Sequence, residues 1–486
     1  MGNPPWFHHP RTALGAAVVT GELGDRYQTP DERRAAGKAA RKNARRRDHD
    51  QMPNPARRED PLALLAQQAA TRIPELVPLR YGRMARSPFA FFRGAALPMA
   101  ADLSLVPNSG IIVQLCGDAH LLNFGLFASP ERNLIFDLND FDETHPGPFE
   151  WDLKRLVASF SVLGHDRGFD AVDREASVRR VVSTYRREMH RYAKAGYLEQ
   201  WYDHIPADLA LQIFSPHLSK DAIARTEKIL AKARTSDSRK AVASLTEWRD
   251  GERVFKSDPP TLVPIEEILG EEAAAAILAD FTGLLGQYLT TLQSDRRRLL
   301  ERYRLTHIAR KVVGVGSVGT RAWVLLLTGR DDDDPLLLQA KEAQTSVLEP
   351  YTAPCGSTNA GERVVTGQHL LQAVSDIFLG WQRLTGFDGN TVDYYLRQMR
   401  DWKGSLPTDT VAPESLPIYA DLCGWALARA HARSGRAPEI AGYLGQSEVF
   451  DDALWRFAEH YAECTVRDHE ALVAAIDRGS IIALDE

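Results

Sequence analysis

No apolar run in the chain is long enough to cross a bilayer as a helix, which takes about 20 residues. Cysteine is scarce. Cys116, Cys355, Cys423 and Cys464 lie far apart with no metal-ligand spacing, which argues against a disulfide scaffold and fits a reducing compartment. A His-rich ligand motif is also missing, which weakens the case for a metal-dependent hydrolase. The first residues, Met1-Gly2-Asn3-Pro4-Pro5, lack the charged-then-apolar order of a secretory signal. Nor does one sign of charge dominate. With 59 Lys and Arg against 65 Asp and Glu, the net charge of −6 excludes a basic nucleic-acid binder as a whole. These absences lead us to expect a cytoplasmic protein with a large core, roughly two to four domains, and no membrane or nucleic-acid partner.

What is present is concentrated in Leu115–Glu143, LCGDAHLLNFGLFASPERNLIFDLNDFDE. Two short apolar runs, Leu122–Ala128 and Asn133–Leu138, flank a Pro-containing turn and predict a β-hairpin. Asp118 and Asn123 precede it and Asp140 and Asp142 follow it, so oxygen ligands gather at one end. That density suits a hard cation such as Mg²⁺, which takes its remaining ligands from water and substrate phosphates. A carboxylate left free nearby can accept a proton from a hydroxyl nucleophile. Asp137, inside the second run on the face of Ile135, is a rival ligand ranked below Asp140.

Residues 1–60 are rich in Pro, Arg and His and read as a basic, partly flexible extension, with eight Lys and Arg in Arg33–Arg47. Leu62–Arg72 has helical apolar spacing. The segment Leu79–Gly94 joins four arginines to three phenylalanines; it reads equally as a phosphate or carboxylate reader, or as core with arginines pairing the acidic loop. Helical spacing predicts helices over Trp151–Gly164 and Val172–Lys194, across Ala207–Leu245, and over Glu266–Thr291 and Arg296–Arg304.

The texture then changes. Gly314, Gly316, Ser317 and Gly319 form a glycine-rich turn between two β-prone runs in Val312–Leu327. A dinucleotide turn needs a helix after the glycines, and a strand follows here, so a flap over phosphates fits better. Asp331–Asp334 reads as a solvated turn. Leu336–Ala343 is the next strand, with Lys341 inside it, read equally as a phosphate contact or an edge-strand solubiliser. Glu362–Phe378 reads as a helix, Val392–Met399 as a strand, and Leu422–His431 and Trp455–Ile476 as helices.

Gly117-Asp118-x-His120-x-x-Asn123, the strand pair, then Asp140-Phe141-Asp142 and Trp151-Asp152-Leu153 resemble the protein-kinase-like superfamily, especially its aminoglycoside phosphotransferase and choline kinase branch. The resemblance implies Asp118 as catalytic base, His120 as loop support, and Asn123 and Asp140 as Mg²⁺ ligands. Asp142 is then a second ligand or outer partner, and Gly314–Gly319 with Lys341 contacts ATP phosphates. Cys116 departs from the branch, which usually has His there. Glu362, Gln368 and Asp376 are the candidate partners of Lys341. Because the glycine turn and Lys341 follow Asp118, and Leu422–His431 resembles the helix that normally leads into the catalytic loop, the parts stand in circularly permuted order.

SPFAFFRG, GDAHLLNFG and NDFDE together also resemble an uncharacterised bacterial family, domain of unknown function 2252. The expectation is therefore an α/β (α+β), two-lobed, kinase-like fold with extra helices. It comprises a mainly helical large lobe over 61–305, a β-rich small lobe over 306–405, and helices over 406–486 that complete the large lobe. The expected activity is phosphoryl transfer from ATP, with Mg²⁺, to a hydroxyl of an unknown small acceptor. Nucleotidyl (AMP) transfer and non-catalytic nucleotide binding are the alternatives.

Overall fold

Long amphipathic helices dominate both halves of the chain and bury their apolar stripes against one another. The structure, a computed structural model, describes residues 28–312, 314–385, 389–399 and 401–484. Helices Glu150–Asp166, Ala171–Tyr192, Leu416–Arg433, Ala437–Leu444 and Val449–Asp477 share one core, to which Phe160, Val178, Tyr185, Leu427 and Phe457 belong. Helix Leu416–Arg433 lies so close to Ala171–Tyr192 that a Cβ at Gly424 would sit 2.6 Å from the Val181 carbonyl oxygen.

Of the basic extension, residues 1–27 lie outside the described residues. Residues 28–60 of the expected partly flexible extension are folded onto the protein, in part as helix. Thr29 and Glu32 form a capping box for helix Pro30–Ala39. Arg33 pairs with Glu439 at 2.8 Å, and Arg41 and Arg46 donate to the carbonyls of Tyr443 and Leu444 at 2.8 and 2.6 Å. The clustered cations thus satisfy open carbonyls at the C-terminal end of helix Ala437–Leu444.

Four short strands, β1 (Ile112–Leu115), β2 (Phe124–Ala128), β3 (Leu134–Leu138) and β4 (His145–Pro148), form two antiparallel pairs, β2 with β3 and β1 with β4. The first pair is the expected hairpin; Leu122 falls in the turn before it. After the hairpin β5 (Thr246–Arg249) and β6 (Glu252–Phe255), six strands build one antiparallel sheet. These are β7 (Leu262–Pro264), β8 (Arg304–Lys311), β9 (Ala322–Thr328), β10 (Pro335–Ala343), β11 (Gly380–Thr385) and β12 (Thr391–Gln398), in the order β11-β12-β10-β9-β8-β7.

The small unit begins earlier than residue 306. β7 joins its sheet, and Ile265, Leu285, Tyr288 and Leu292 from the helices that follow pack on Leu325, Leu336 and Leu338. The expected helix Glu266–Thr291 is three helices, interrupted at Gly270, with φ +85°, and at Asp280. Arg304 opens β8 instead of closing a helix. Helix Ala360–Leu371 stops before Phe378, leaving room for β11, which the sequence reading missed.

Strand alternation sorts the side chains of β10. Leu336, Leu338 and Ala340 face the covering helices, so Gln339 and Lys341 point to the opposite side, toward the helical part of the molecule.

Candidate active site

The loop after β1 is shaped by what holds its amides. Gly117 has φ +88°, and a Cβ there would lie 2.0 Å from the Glu143 carbonyl oxygen, so no other residue fits. Asp152, in the first turn of helix Glu150–Asp166, accepts from the Cys116 and Gly117 amides at 2.7 and 2.9 Å. His431 Nε2 lies 3.2 Å from the same carboxylate, and Tyr185 OH lies 2.7 Å from His431 Nδ1. Cys116 is buried, its thiol 3.4 Å from the Asp140 carbonyl oxygen.

The loop therefore presents Asp118 in a fixed position. Arg155 Nε donates to Asp118 Oδ1 at 2.8 Å, while His120 Nε2 stands 3.9 Å from the other carboxylate oxygen. Arg155 also lies over the Phe92 ring. His120 Nδ1 accepts from the Leu122 amide at 3.2 Å, closing the turn. Burial, then the charges of Arg93 and Arg155, push the His120 imidazole far below its ordinary range, so the ring stays neutral. Asn123 Nδ2 donates to the Asp118 carbonyl at 2.8 Å, which leaves its amide oxygen turned elsewhere.

Asp140 and Asp142 differ in their partners. Among the described residues, Asp140 receives a 3.5 Å contact from the Asp142 amide, and burial together with the Asp142 charge raises its carboxyl. Asp142 is held by three side chains: Lys341 Nζ at 2.5 Å, Tyr395 OH at 2.6 Å and Ser317 Oγ at 3.1 Å. Burial opposes its charge, but Lys341 and the hydrogen bonds outweigh it and hold the carboxyl at about 2.

The lysine's partner is thus Asp142 and none of the three side chains expected. Glu362 contacts Ser357, Gln368 bonds Gln372, and Asp376 caps the Phe378 and Gln398 amides. The edge-solubiliser alternative fails because Lys341 is buried in an interior strand. Asp137 is buried too, paired with Arg429 at 2.5 Å with both side chains at most 1% exposed. It is a core ion pair.

A polar cavity of about 490 Å³ lies between the loops and the sheet. All of the site residues expected from the sequence line it except Gly319. Gly319 packs instead on the Arg72 side chain and accepts from the Ile73 amide. The glycine turn is a short 3₁₀ segment, Val315–Ser317, tied down by Arg72, which donates to the Gly316 and Val318 carbonyls.

Arg93, Arg397 and Lys403 add positive charge that the sequence reading did not assign. Arg93 was visible only as one arginine in Leu79–Gly94. That segment divides: Phe89, Phe91 and Phe92 are core, Arg80 is fully buried against Gln68 and Gly94, and Arg93 reaches the cavity. Arg397 and Lys403 come from the far end of the sheet region, so only the tertiary fold reveals them. A second, apolar cavity of about 670 Å³, walled by Ile268, Ile277 and Trp323, lies on the helix-covered side of the sheet, away from the carboxylates.

The donor set fits a hard cation. The amide oxygen of Asn123 and the carboxylate of Asp140 are oxygen ligands left open by their protein partners, whereas Asp142 is committed to Lys341 and Tyr395. No curated protein and no solved structure gives a significant match. Residues 72–475 match the family described as an uncharacterized protein conserved in bacteria (DUF2252), and the chain belongs to that family.

Proposed function

We propose that the protein is a phosphotransferase of kinase-like, circularly permuted organisation that moves the ATP γ-phosphate to a hydroxyl of a small acceptor. The observation that carries this reading is the Lys341–Asp142 contact between side chains 199 residues apart, at the wall of the cavity that also holds Asp118, Asn123 and Asp140. Phosphoryl transfer asks mainly for positioning and charge neutralisation, and a cleft with these carboxylates opposite Arg93, Lys341 and Arg397 supplies both.

In this reading Asn123 and Asp140 would hold Mg²⁺, which would supply positive charge to neutralise the phosphates. Gly314, Gly316 and Ser317 lie over the phosphates, where missing or small side chains let the backbone approach. Asp118, tethered by Arg155 through one oxygen, turns the other to the acceptor hydroxyl. As the acceptor oxygen bonds to the γ-phosphorus and the bridging bond to the β-phosphate breaks, Asp118 takes the hydroxyl proton and ADP leaves. Lys341 fixes Asp142 and so sets the conformation of the loop that carries Asp140.

The test is label transfer from ATP, marked at the α- or the γ-phosphate, to a pool of small metabolites in the presence of Mg²⁺. Movement of the γ label alone is the expected result. Movement of the α label assigns AMP transfer, and Mg²⁺-dependent binding without transfer of either assigns a nucleotide-binding protein. Absence of ATP binding by calorimetry retires the whole reading.

A further inference from the structure

We infer that His145, Glu349 and Cys355 form a binding site for a borderline divalent cation, zinc first, separate from the oxygen-lined cleft. His145 is distant in sequence from Glu349 and Cys355. His145 starts β4, Glu349 opens the short 3₁₀ turn Glu349–Tyr351, and Cys355 lies in the loop leading to helix Ala360–Leu371. One ligand atom from each comes within 4.8 Å of both others.

The imidazole is the second observation. His145 is fully buried, its Nε2 has no hydrogen-bond partner, and its Nδ1 reaches Pro146 O and Thr352 Oγ1 only at 3.5 Å. Buried polar atoms are nearly always partnered, so an idle nitrogen on a ring that stands beside a thiol and a carboxylate calls for a ligand.

The donor types favour zinc over magnesium. One nitrogen, one sulfur and one oxygen suit a borderline-soft ion, with water left to complete a tetrahedron. Bonds of about 2.0–2.3 Å place ligands about 3.3–3.8 Å apart, so the set would draw in by no more than about 1.5 Å. That movement falls on the loop around Cys355, which has no regular secondary structure.

Charge is also balanced. Arg363 stands nearby, with its guanidinium donating to the carbonyls of Asp142, Thr144 and Gln344. A thiolate and a carboxylate cancel the two charges of zinc and leave Arg363 facing a neutral cluster. Because β4 directly follows Asp140–Glu143, the ion would pin the metal loop to the connection between β10 and helix Ala360–Leu371.

The full chain, stripped with chelator, would be titrated with Zn²⁺ alone and with Co²⁺ as a spectroscopic probe. One equivalent should bind, Co²⁺ should give an intense thiolate-to-metal charge-transfer band, and excess Mg²⁺ should leave that band unchanged. Cys355→Ser should abolish the band and His145→Gln should weaken Zn²⁺ binding, while Cys464→Ser keeps both. Circular dichroism checks that each variant is folded; where one is not, the wild-type Co²⁺ spectrum decides alone. No Zn²⁺ binding by folded wild type, binding without a thiolate band, or a band that survives Cys355→Ser would overturn the site. The outcome is independent of whether the protein transfers phosphate.

Discussion

At the scale of single residues, Asp118 carries the sharpest consequence. Asn in its place keeps the shape and can still accept from Arg155, so ATP affinity should barely change. Single-turnover transfer should fall by about a hundred- to ten-thousand-fold, the usual contribution of a positioned base. A near-normal rate in Asp118→Asn would mean that the carboxylate only organises the loop. About 25 residues further along the chain, two neighbouring carboxyls act in opposite directions on stability. Asp142 sits at about 2, below its ordinary 3.8, so its stabilisation is present above about pH 4 and lost as pH falls through about 2. Glu143 is pushed up by burial to about 7 from 4.5, so its contribution is full below about pH 4.5 and lost as pH rises through about 7. Glu143→Gln keeps an oxygen for the Val347 amide, which Glu143 Oε2 now accepts at 2.8 Å. Urea midpoints of this variant should therefore stay level across the neutral range where the wild type declines. An unchanged decline would show that another group is responsible.

Elements show which parts of the fold could be read in advance. The hairpin, the helices of the large core and the strand bearing Lys341 were legible because each is written in local apolar spacing. Helix ends were not. Ala360–Leu371 and the broken run after Ile265 end where tertiary partners and a positive-φ glycine intervene, against a pattern that would let them continue. The site divides the same way. Asp118, Asn123 and Asp140 lie close enough in sequence to be read as one motif. The Lys341–Asp142 pair and the His145–Glu349–Cys355 cluster join segments about two hundred residues apart, which no local pattern encodes. The coupling of helix to loop through Asp152 is likewise tertiary, and it is testable. Asp152→Ala strips a charged acceptor from two loop amides and from His431. Hydrogen bonds to charged groups contribute about 1.5–3 kcal/mol each, so a loss on the order of 3 kcal/mol in urea unfolding is expected. A loss below about 1 kcal/mol would mean that water replaces the carboxylate and that the loop does not depend on it.

On the scale of the whole molecule, the cleft is a property of two units. The glycine turn and Lys341 come from the sheet, whereas Asp118, Asn123 and Asp140 come from loops anchored on the helical core. Contacts between the units are both polar and apolar: Lys341 meets Asp142, Arg397 the Asn139 carbonyl and Gln372 the Leu138 carbonyl, while Ala343, Tyr395, Val364 and Leu371 belong to the core of the helical part. A ligand that touches both walls should therefore stabilise both units together. If ATP and Mg²⁺ bind as proposed, nucleotide at a hundred times its dissociation constant adds about 2.7 kcal/mol to the folded state. The wild type should melt in one sharpened, higher transition with ATP and Mg²⁺, and chelating the metal should remove most of the shift. Asp140→Ala should bind ATP weakly and equally with and without Mg²⁺, because the remaining cations can still hold phosphate while the metal's carboxylate is gone. Calorimetry and melting curves on the two proteins, with and without chelator, distinguish this from a purely structural acidic cluster. In that case Asp140→Ala would lower the melting temperature without altering the response to Mg²⁺.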